Sequence, residues 1–331
     1  MSSKPVIAFV TGGYSSESEI SYKSAITIEN NLDASKFEVY KIDITPGGWF
    51  YAYEGGKIAI DRNDFSLVAA GKKITFDAVF IGIHGTPGED GKLQGYFDLM
   101  NIPYTSCDAA TSAITFNKRY TVAVAAFAGI ATARSLHLFS HSRLSAAEIA
   151  GQLSFPVFVK PNNGGSSIGM SKVNAEKDLP VALDKAFKED TQVLVEEFIS
   201  GREFTVGVFR TISGIIVLPI TEIITGNEFF DFEAKYQGKS QEITPAKLDP
   251  ETEQHIQAAA RKVFEVFNCR GMVRIDFILN ESRKDPYMLE INTIPGQSEA
   301  SVIPQQVRIM GWKLTDFYSS LIEDALTRKG S

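Results

Sequence analysis

The chain has 331 residues, and its 33 Lys plus Arg against 40 Asp plus Glu give a formal net charge of −7. That balance argues against a broad basic face for nucleic acid or an anionic membrane, while leaving room for one local phosphate pocket. The longest apolar stretch, Val122 to Ala131, falls far short of the roughly 20 residues of a membrane helix. Val6 to Val10 is likewise too short for the hydrophobic region of a secretory signal. Two cysteines, Cys107 and Cys269, cannot make a disulfide framework, and a cytoplasmic protein with ordinary cores is expected.

Val6-Ile-Ala-Phe-Val10 reads as a buried strand that stops at Gly12-Gly13. A helix follows on the spacing of Ile20, Ser24, Thr27 and Ile28, then an alternating strand over Phe37 to Ile44. Trp49 to Ile60 is predicted as a hairpin with Gly55-Gly56 at its turn. Phe76 to Ile83 is another buried strand, ending at His84-Gly85. Alternation of strands and helices implies α/β architecture and a mostly parallel sheet, with ligand sites beyond the carboxyl ends of the strands. The loops 12–17 and 84–91 both fall there.

A helical section is expected from Asp108 to about Gly129, carrying Lys118. Short strands over Val157–Lys160 and Gly169–Val173 flank a Gly- and Ser-rich loop, and Leu179–Phe187 is predicted as a helix. Val193–Ile199, Glu203–Phe209 and Ile212–Ile223 are strand-like. Asp249 and Pro250 have the signature of a helix N-cap and first turn, with Ile256, Ala260, Val263 and Phe267 along one face.

The most telling segment is Met272 to Leu279. On a strand, Arg274 and Asp276 point to one side, and Val273, Ile275, Phe277 and Leu279 to the other. Tyr287 to Asn292 repeats the arrangement, with Glu290 and Asn292 opposite Leu289 and Ile291. Antiparallel pairing across the 280–286 turn gathers Asp276, Glu290 and Asn292 on one face, with Arg274 beside them. Three hard oxygen ligands suit Mg²⁺, whereas the bland alternative is a solvated sheet face. Lys160 precedes Pro161 to Gly169, a loop whose exposed N–H groups can cradle a phosphate. Glu196 and Glu203 can hydrogen-bond a base amine and ribose hydroxyls. The stricter motifs fail. Met170 stands where a P-loop needs Lys, no Gly-x-Gly-x-x-Gly follows the first strand, and Leu138 lies where a zinc protease needs Glu between His137 and His141.

Taken together, the segments 12–17, 84–91 with Gln94-Gly95, Asn117-Lys118, 160–169, 231–236, 271–276 and 290–296 with Ser301 resemble, in order, the ATP-grasp superfamily and closely its D-alanine–D-alanine ligases. The resemblance implies a three-domain α+β architecture: an N-terminal parallel-sheet domain (1–106), a central ATP-grasp subdomain (107–198) and a C-terminal catalytic domain (199–331). It implies an ATP-dependent carboxylate–amine ligase that joins two D-alanines through an acyl phosphate, supplying a peptidoglycan precursor. ATP would meet Lys118, Lys160, Ser167, Glu196, Glu197, Phe198, Ile199, Glu203 and Lys235. Asp276, Glu290 and Asn292 would hold two Mg²⁺ ions, with Mn²⁺ as the alternative. Glu17 would bind the first ammonium with His84 nearby. Arg274 and Gly296 would face the reacting carboxyl, and Ser166, Tyr236 and Ser301 would tie the closing segments to the substrates. Tyr at 236 goes with dipeptide formation. Two departures are Glu197, where some relatives carry Lys, and Ser298, where Thr is common. A homodimer is implied as well. A non-catalytic amino-acid binding protein and an ATP-grasp ligase for another acid are the competing readings.

Overall fold

The computed structural model describes residues 4–53, 55–164, 168–225, 240–280 and 285–328. Three sheets organise it. The first has Val6–Gly12 at its centre, paired in parallel with Glu38–Thr45 on one side and Ala78–Ile81 on the other. The helix Ser18–Asn31 makes the crossover between the first two of these strands. Parallel pairing stops there, because Gly48–Tyr53 and Gly56–Ala59 form the expected hairpin and add antiparallel strands at the edge. A small two-stranded sheet, Leu67–Ala69 with Lys72–Ile74, was not foreseen.

The second sheet is wholly antiparallel, in the order Ser171–Val173, Val157–Pro161, Gln192–Glu197 and Ser135–Phe139. The helix Leu179–Glu189 covers it, burying Leu179, Ala182, Leu183 and Ala186 against Val157, Val159, Val193 and Val195. The third sheet centres on Arg202–Thr211 and Met272–Asn280, with Asp285–Asn292 at one edge. The expected strand over 212–223 is two strands, Gly214–Val217 and Thr221–Thr225, each paired with Arg202–Thr211. Over this sheet lies the helix Pro250–Val266, whose N-cap Asp249 accepts from Thr252 N–H at 3.0 Å. Ile256, Ala260 and Val263 are fully buried on the face that the spacing marked out.

The helical section after Asp108 is broken at Asn117 into Ala109–Phe116 and Lys118–Phe127. Asn117 ends the first helix and caps the second, and it bridges to Asn163 of the glycine loop. Ala125 and Ile130 of this section join the core of the third sheet. Near them Gly271 turns the chain with φ +59, and a Cβ there would lie 1.6 Å from Thr105 O, so only glycine allows the two backbones to pass.

The two helices Val302–Ile309 and Leu314–Leu326 close the molecule between the first and third sheets. Phe317, Tyr318, Leu321 and Ile322 are fully buried, touching Ile7, Phe9 and Phe80 on one side and Phe209 and Met272 on the other. Phe80 and Tyr318 meet edge to face at 5.7 Å, and Phe209 and Phe317 at 4.9 Å. Each such ring contributes about 1.5–3 kcal/mol by burial.

Candidate active site

One cavity of about 720 Å³ opens between the second and third sheets and reaches the loops of the first. Every residue singled out from the sequence that falls among the described residues lines it: Glu17, His84, Lys118, Lys160, Glu196, Glu197, Phe198, Ile199, Glu203, Arg274, Asp276, Glu290, Asn292, Gly296 and Ser301. Ser166, Ser167, Lys235 and Tyr236 lie outside the described residues. An adjoining cavity of about 330 Å³ shares Glu17, Lys118, Lys160 and Glu290 and runs beside the 161–170 segment.

The third sheet positions the acidic group. Pairing sets Asp276 opposite Glu290 and Arg274 opposite Asn292, as alternation required. The register slips between Asp276 and Phe277, however, because Leu289 forms a bulge. Met288 therefore enters the core, and Leu289, expected on the apolar side, lines the cavity beside Glu290. Arg274 grips Asp276 with two bonds of 2.9 and 2.8 Å and lies 3.7 Å from Glu290. The Thr205 hydroxyl donates to Asp276 Oδ1 at 2.5 Å, and Asn292 Nδ2 lies 3.4 Å from both carboxylates. Among the described residues no three His, Cys, Asp or Glu side chains gather as a metal group; two carboxylates and an amide do.

The second sheet supplies the cations. Lys160 forms an ion pair with Glu196, both side chains being mostly buried. Lys118 Nζ donates to the Gly164 carbonyl at 2.7 Å, and Asn162 binds the backbone of Lys118 and Arg119, so the base of the glycine loop is pinned to the helix that carries Lys118. Glu197 lines the wall, but its carboxylate accepts from Ser154 N–H at 2.8 Å.

The first sheet contributes two loops. Glu17 stands at the N-cap of its helix and makes no capping bond. His84 Nε2 is 3.0 Å from Ser24 Oγ, which also accepts from Gln297 N–H; Tyr318 donates to the Gln297 side chain in turn. Burial, with Arg274 nearby, holds the His84 pKa down at about 4, so the ring is neutral. Gly85 N–H donates to Glu89 Oε2 at 2.7 Å. Burial first, and then the Glu17 charge, push the Glu89 carboxyl up to about 8. Ser301, at the N-cap of Val302–Ile309, makes no capping bond and instead meets Ser298 at 2.8 Å. The N-terminal end of that helix faces the cavity, a favourable place for a carboxylate.

Several lining groups escaped the sequence reading. Arg202 holds Glu222 with two 2.8 Å bonds, Thr205 steadies Asp276, and burial raises the pKa of Glu242. Thr205 carried a usable signal, since it sits on a strand that pairs with Asp276. Glu89 carried only its place in the 84–91 motif.

An acidic, Arg-backed strand pair facing two lysines and a glycine loop across one cleft defines an ATP-grasp carboxylate–amine ligase. The family described as D-ala D-ala ligase N-terminus matches residues 6–107, and D-ala D-ala ligase C-terminus matches 116–323. The D-alanine–D-alanine ligase of Flavobacterium johnsoniae is 47% identical over 97% of this chain and 99% of its own. Among solved structures, the VanG D-Ala:D-Ser ligase from Enterococcus faecalis superposes with TM-score 0.86 at 31% identity, covering 97% of this chain and 99% of that one. The Bacillus anthracis D-alanine–D-alanine ligase complexed with ATP gives 0.79 at 26% identity, covering 98% and 99%. The chain belongs to the D-alanine–D-alanine ligase family, whose members are ATP-dependent ligases.

Proposed function

We propose that this chain joins two D-alanines, with ATP lying between Lys118, Lys160 and the glycine loop on one side and the Asp276–Glu290 strands on the other. The observation that carries the reading is the facing of these two charged walls across one cavity. Lys160 and Lys118 are placed to draw phosphate charge. Glu196, Phe198, Ile199 and Glu203 line the end suited to the nucleoside, and Glu197 contributes to that wall through its backbone. The three units 1–106, 107–198 and 199–331 are the parts we expect to close on the substrates, with Ser166, Ser167, Lys235 and Tyr236 on the closing segments.

Asp276, Glu290 and Asn292 suit Mg²⁺ chemically, since carboxylates and an amide oxygen are the donors it prefers and the Asn292 amide can present either atom. Two ions of Mg²⁺, or Mn²⁺, would be held there, and a bound ion supplies neutralisation of phosphate charge. Glu17 binds the ammonium of the first D-alanine and orients its carboxylate toward the phosphates. A carboxylate is a poor electrophile; phosphoryl transfer converts it to an acyl phosphate, a step that needs positioning and charge neutralisation more than covalent help. The second amine, its carboxylate held at the helix end by Ser301, attacks the acyl carbon. Arg274 and the backbone at Gly296 face the oxygen that gains charge in the tetrahedral state. Phosphate leaves and the dipeptide forms.

Cytoplasmic location, a homodimer and delivery of the dipeptide to peptidoglycan assembly complete the proposal. The test is ADP release on adding D-alanine to the protein with ATP, with and without Mg²⁺, and chromatography of the products. D-alanyl-D-alanine formed only with Mg²⁺ is expected. No turnover with D-alanine, or preferential D-alanyl-D-serine formation when both amino acids are supplied, overturns it.

A further inference from the structure

One fully buried amide in the helix Val302–Ile309 has both of its polar atoms engaged. Gly207 N–H donates to Gln306 Oε1 at 3.1 Å, and Gln306 Nε2 donates to the Thr205 carbonyl at 3.1 Å and to the Thr221 hydroxyl oxygen at 3.0 Å. These bonds fill a break in the third sheet. Along one edge of Arg202–Thr211, pairing with Thr221–Thr225 reaches Thr205, and pairing with Gly214–Val217 resumes only at Val208. Pro219, which has no N–H to give, lies in the chain between those two strands.

The two positions that Gln306 holds are the cross-strand neighbours of the charged group. Thr205 pairs with Asp276, to which its hydroxyl also donates, and Gly207 pairs with Arg274. Glycine at 207 makes room for the amide, since a Cβ there would lie 2.6 Å from both Gln306 Oε1 and Ile303 Cδ1. At the start of the same helix, Ser301 stands about 7.5 Å along the axis from Gln306 at 1.5 Å per residue. Ser301 lines the main cavity together with Arg274 and Asp276.

We propose that Gln306 is a positioning residue for the second D-alanine, fixing the helix start at Ser301, where that substrate's carboxylate is to sit, at a set height over Arg274 and Asp276. This rests on the ligase reading above and deepens it.

Burial of Ile303 and Val307 holds the helix against the sheet but fixes neither its height nor its rotation, because apolar burial has no direction. Three directional bonds in a dry site fix both, and they do so only while every polar atom is matched. The step that needs this is attack by the second amine, whose acyl target is to stand by Arg274 while its own carboxylate stands by Ser301. The reacting atoms must come within roughly 3–3.5 Å, and about 1 Å of misplacement can cost roughly 10²-fold. A helix seated wrongly leaves the acyl phosphate waiting, and water then cleaves it to D-alanine and phosphate.

The experiment follows ADP and dipeptide together in the intact enzyme, with ATP and Mg²⁺, over a range of D-alanine concentrations. The native enzyme is expected to form the two in equal amounts. Gln306→Met keeps the bulk of the side chain and removes its bonds. It should raise the KM for the second D-alanine by roughly 10- to 10²-fold, leave the KM for ATP unchanged, and form more ADP than dipeptide. Gly207→Ala presses on the same amide from the strand and meets only the ends of flexible side chains, so it serves if Gln306→Met does not fold. The same defect is expected from it in milder form. A merely structural role would lower both products in constant ratio, as loss of folded protein does. An unchanged KM for the second D-alanine, or equal ADP and dipeptide, in the folded variant overturns the proposal and leaves the ligase reading standing. Absence of D-alanine-dependent ADP release from the native enzyme overturns that reading instead.

Discussion

The two sides of the active-site cleft are built in opposite ways. The side proposed to face the phosphates stands on adjacent strands of the third sheet, where Arg274, Asp276, Glu290 and Asn292 project from paired positions and bond to one another. The side proposed to face the amino acids stands on loops and helix ends of the first sheet, where Glu17 sits at a helix start, His84 meets a small hydroxyl and Glu89 accepts from a backbone N–H. On the strands, charge is balanced by an opposite charge already present. On the loops, charge is managed by protonation state, with His84 kept neutral and Glu89 raised. A paired charge gives fixed geometry that varies little with pH; a protonation-controlled site responds to pH and to the ligand's own charge.

That contrast can be broken at its strongest point first. Asp276→Asn keeps the shape of the side chain but deletes the charge that Arg274 pairs with and that the proposed divalent cation would need. We expect loss of most ligase activity with the fold retained by circular dichroism. Near-normal turnover at ordinary Mg²⁺ concentration would show that the strand side is not where the phosphates are neutralised. Arg274→Ala is expected to lower kcat by roughly 10²–10³-fold, the range for losing one oxyanion donor. A rise in KM alone would make Arg274 a substrate anchor. On the loop side a single hydrogen bond should matter less. Ser24→Ala deprives His84 and the Gln297 N–H of their shared partner, and denaturant titration should register a loss of about 1–3 kcal/mol. Its effect on kcat should be the smallest of the three. A kcat loss as large as that of Arg274→Ala would mean that the loops hold the reacting groups as rigidly as the strands do.

The same contrast explains what could be read from the sequence. Strand alternation reports which side chains share a face, so Arg274, Asp276, Glu290 and Asn292 were identifiable from residue order alone, as was the hairpin that joins their strands. Alternation assumes an unbroken ladder, and the bulge at Leu289 is a choice made by packing Met288 into the core. The break at Asn117 is similar in kind. The helical pattern runs through it, and only the bridge to Asn163 shows why the helix restarts there. On the loop side, periodicity says nothing. Glu17 and His84 come from the resemblance, and Glu89 gives no signal in residue order because what sets it apart is burial and the nearness of Glu17, which are properties of space rather than of order. The edge hairpin of the first sheet was foreseen, but its antiparallel attachment makes that sheet less parallel than the strand–helix alternation implied.

The helix Leu314–Leu326 has a consequence for how the chain is born. It fills the gap between the first and third sheets, so the face of the first sheet with Ile7, Phe9 and Phe80 has only the early helix Ser18–Asn31, through Ala25 and Ile28, as apolar cover until some three hundred residues have been made. The sheet that is translated first is therefore among the last parts to be finished, and a chain that stops before Leu314 leaves part of that face open to water. Folding of the early half is tied to arrival of the late half, and the part left open is where an incomplete chain is prone to associate wrongly.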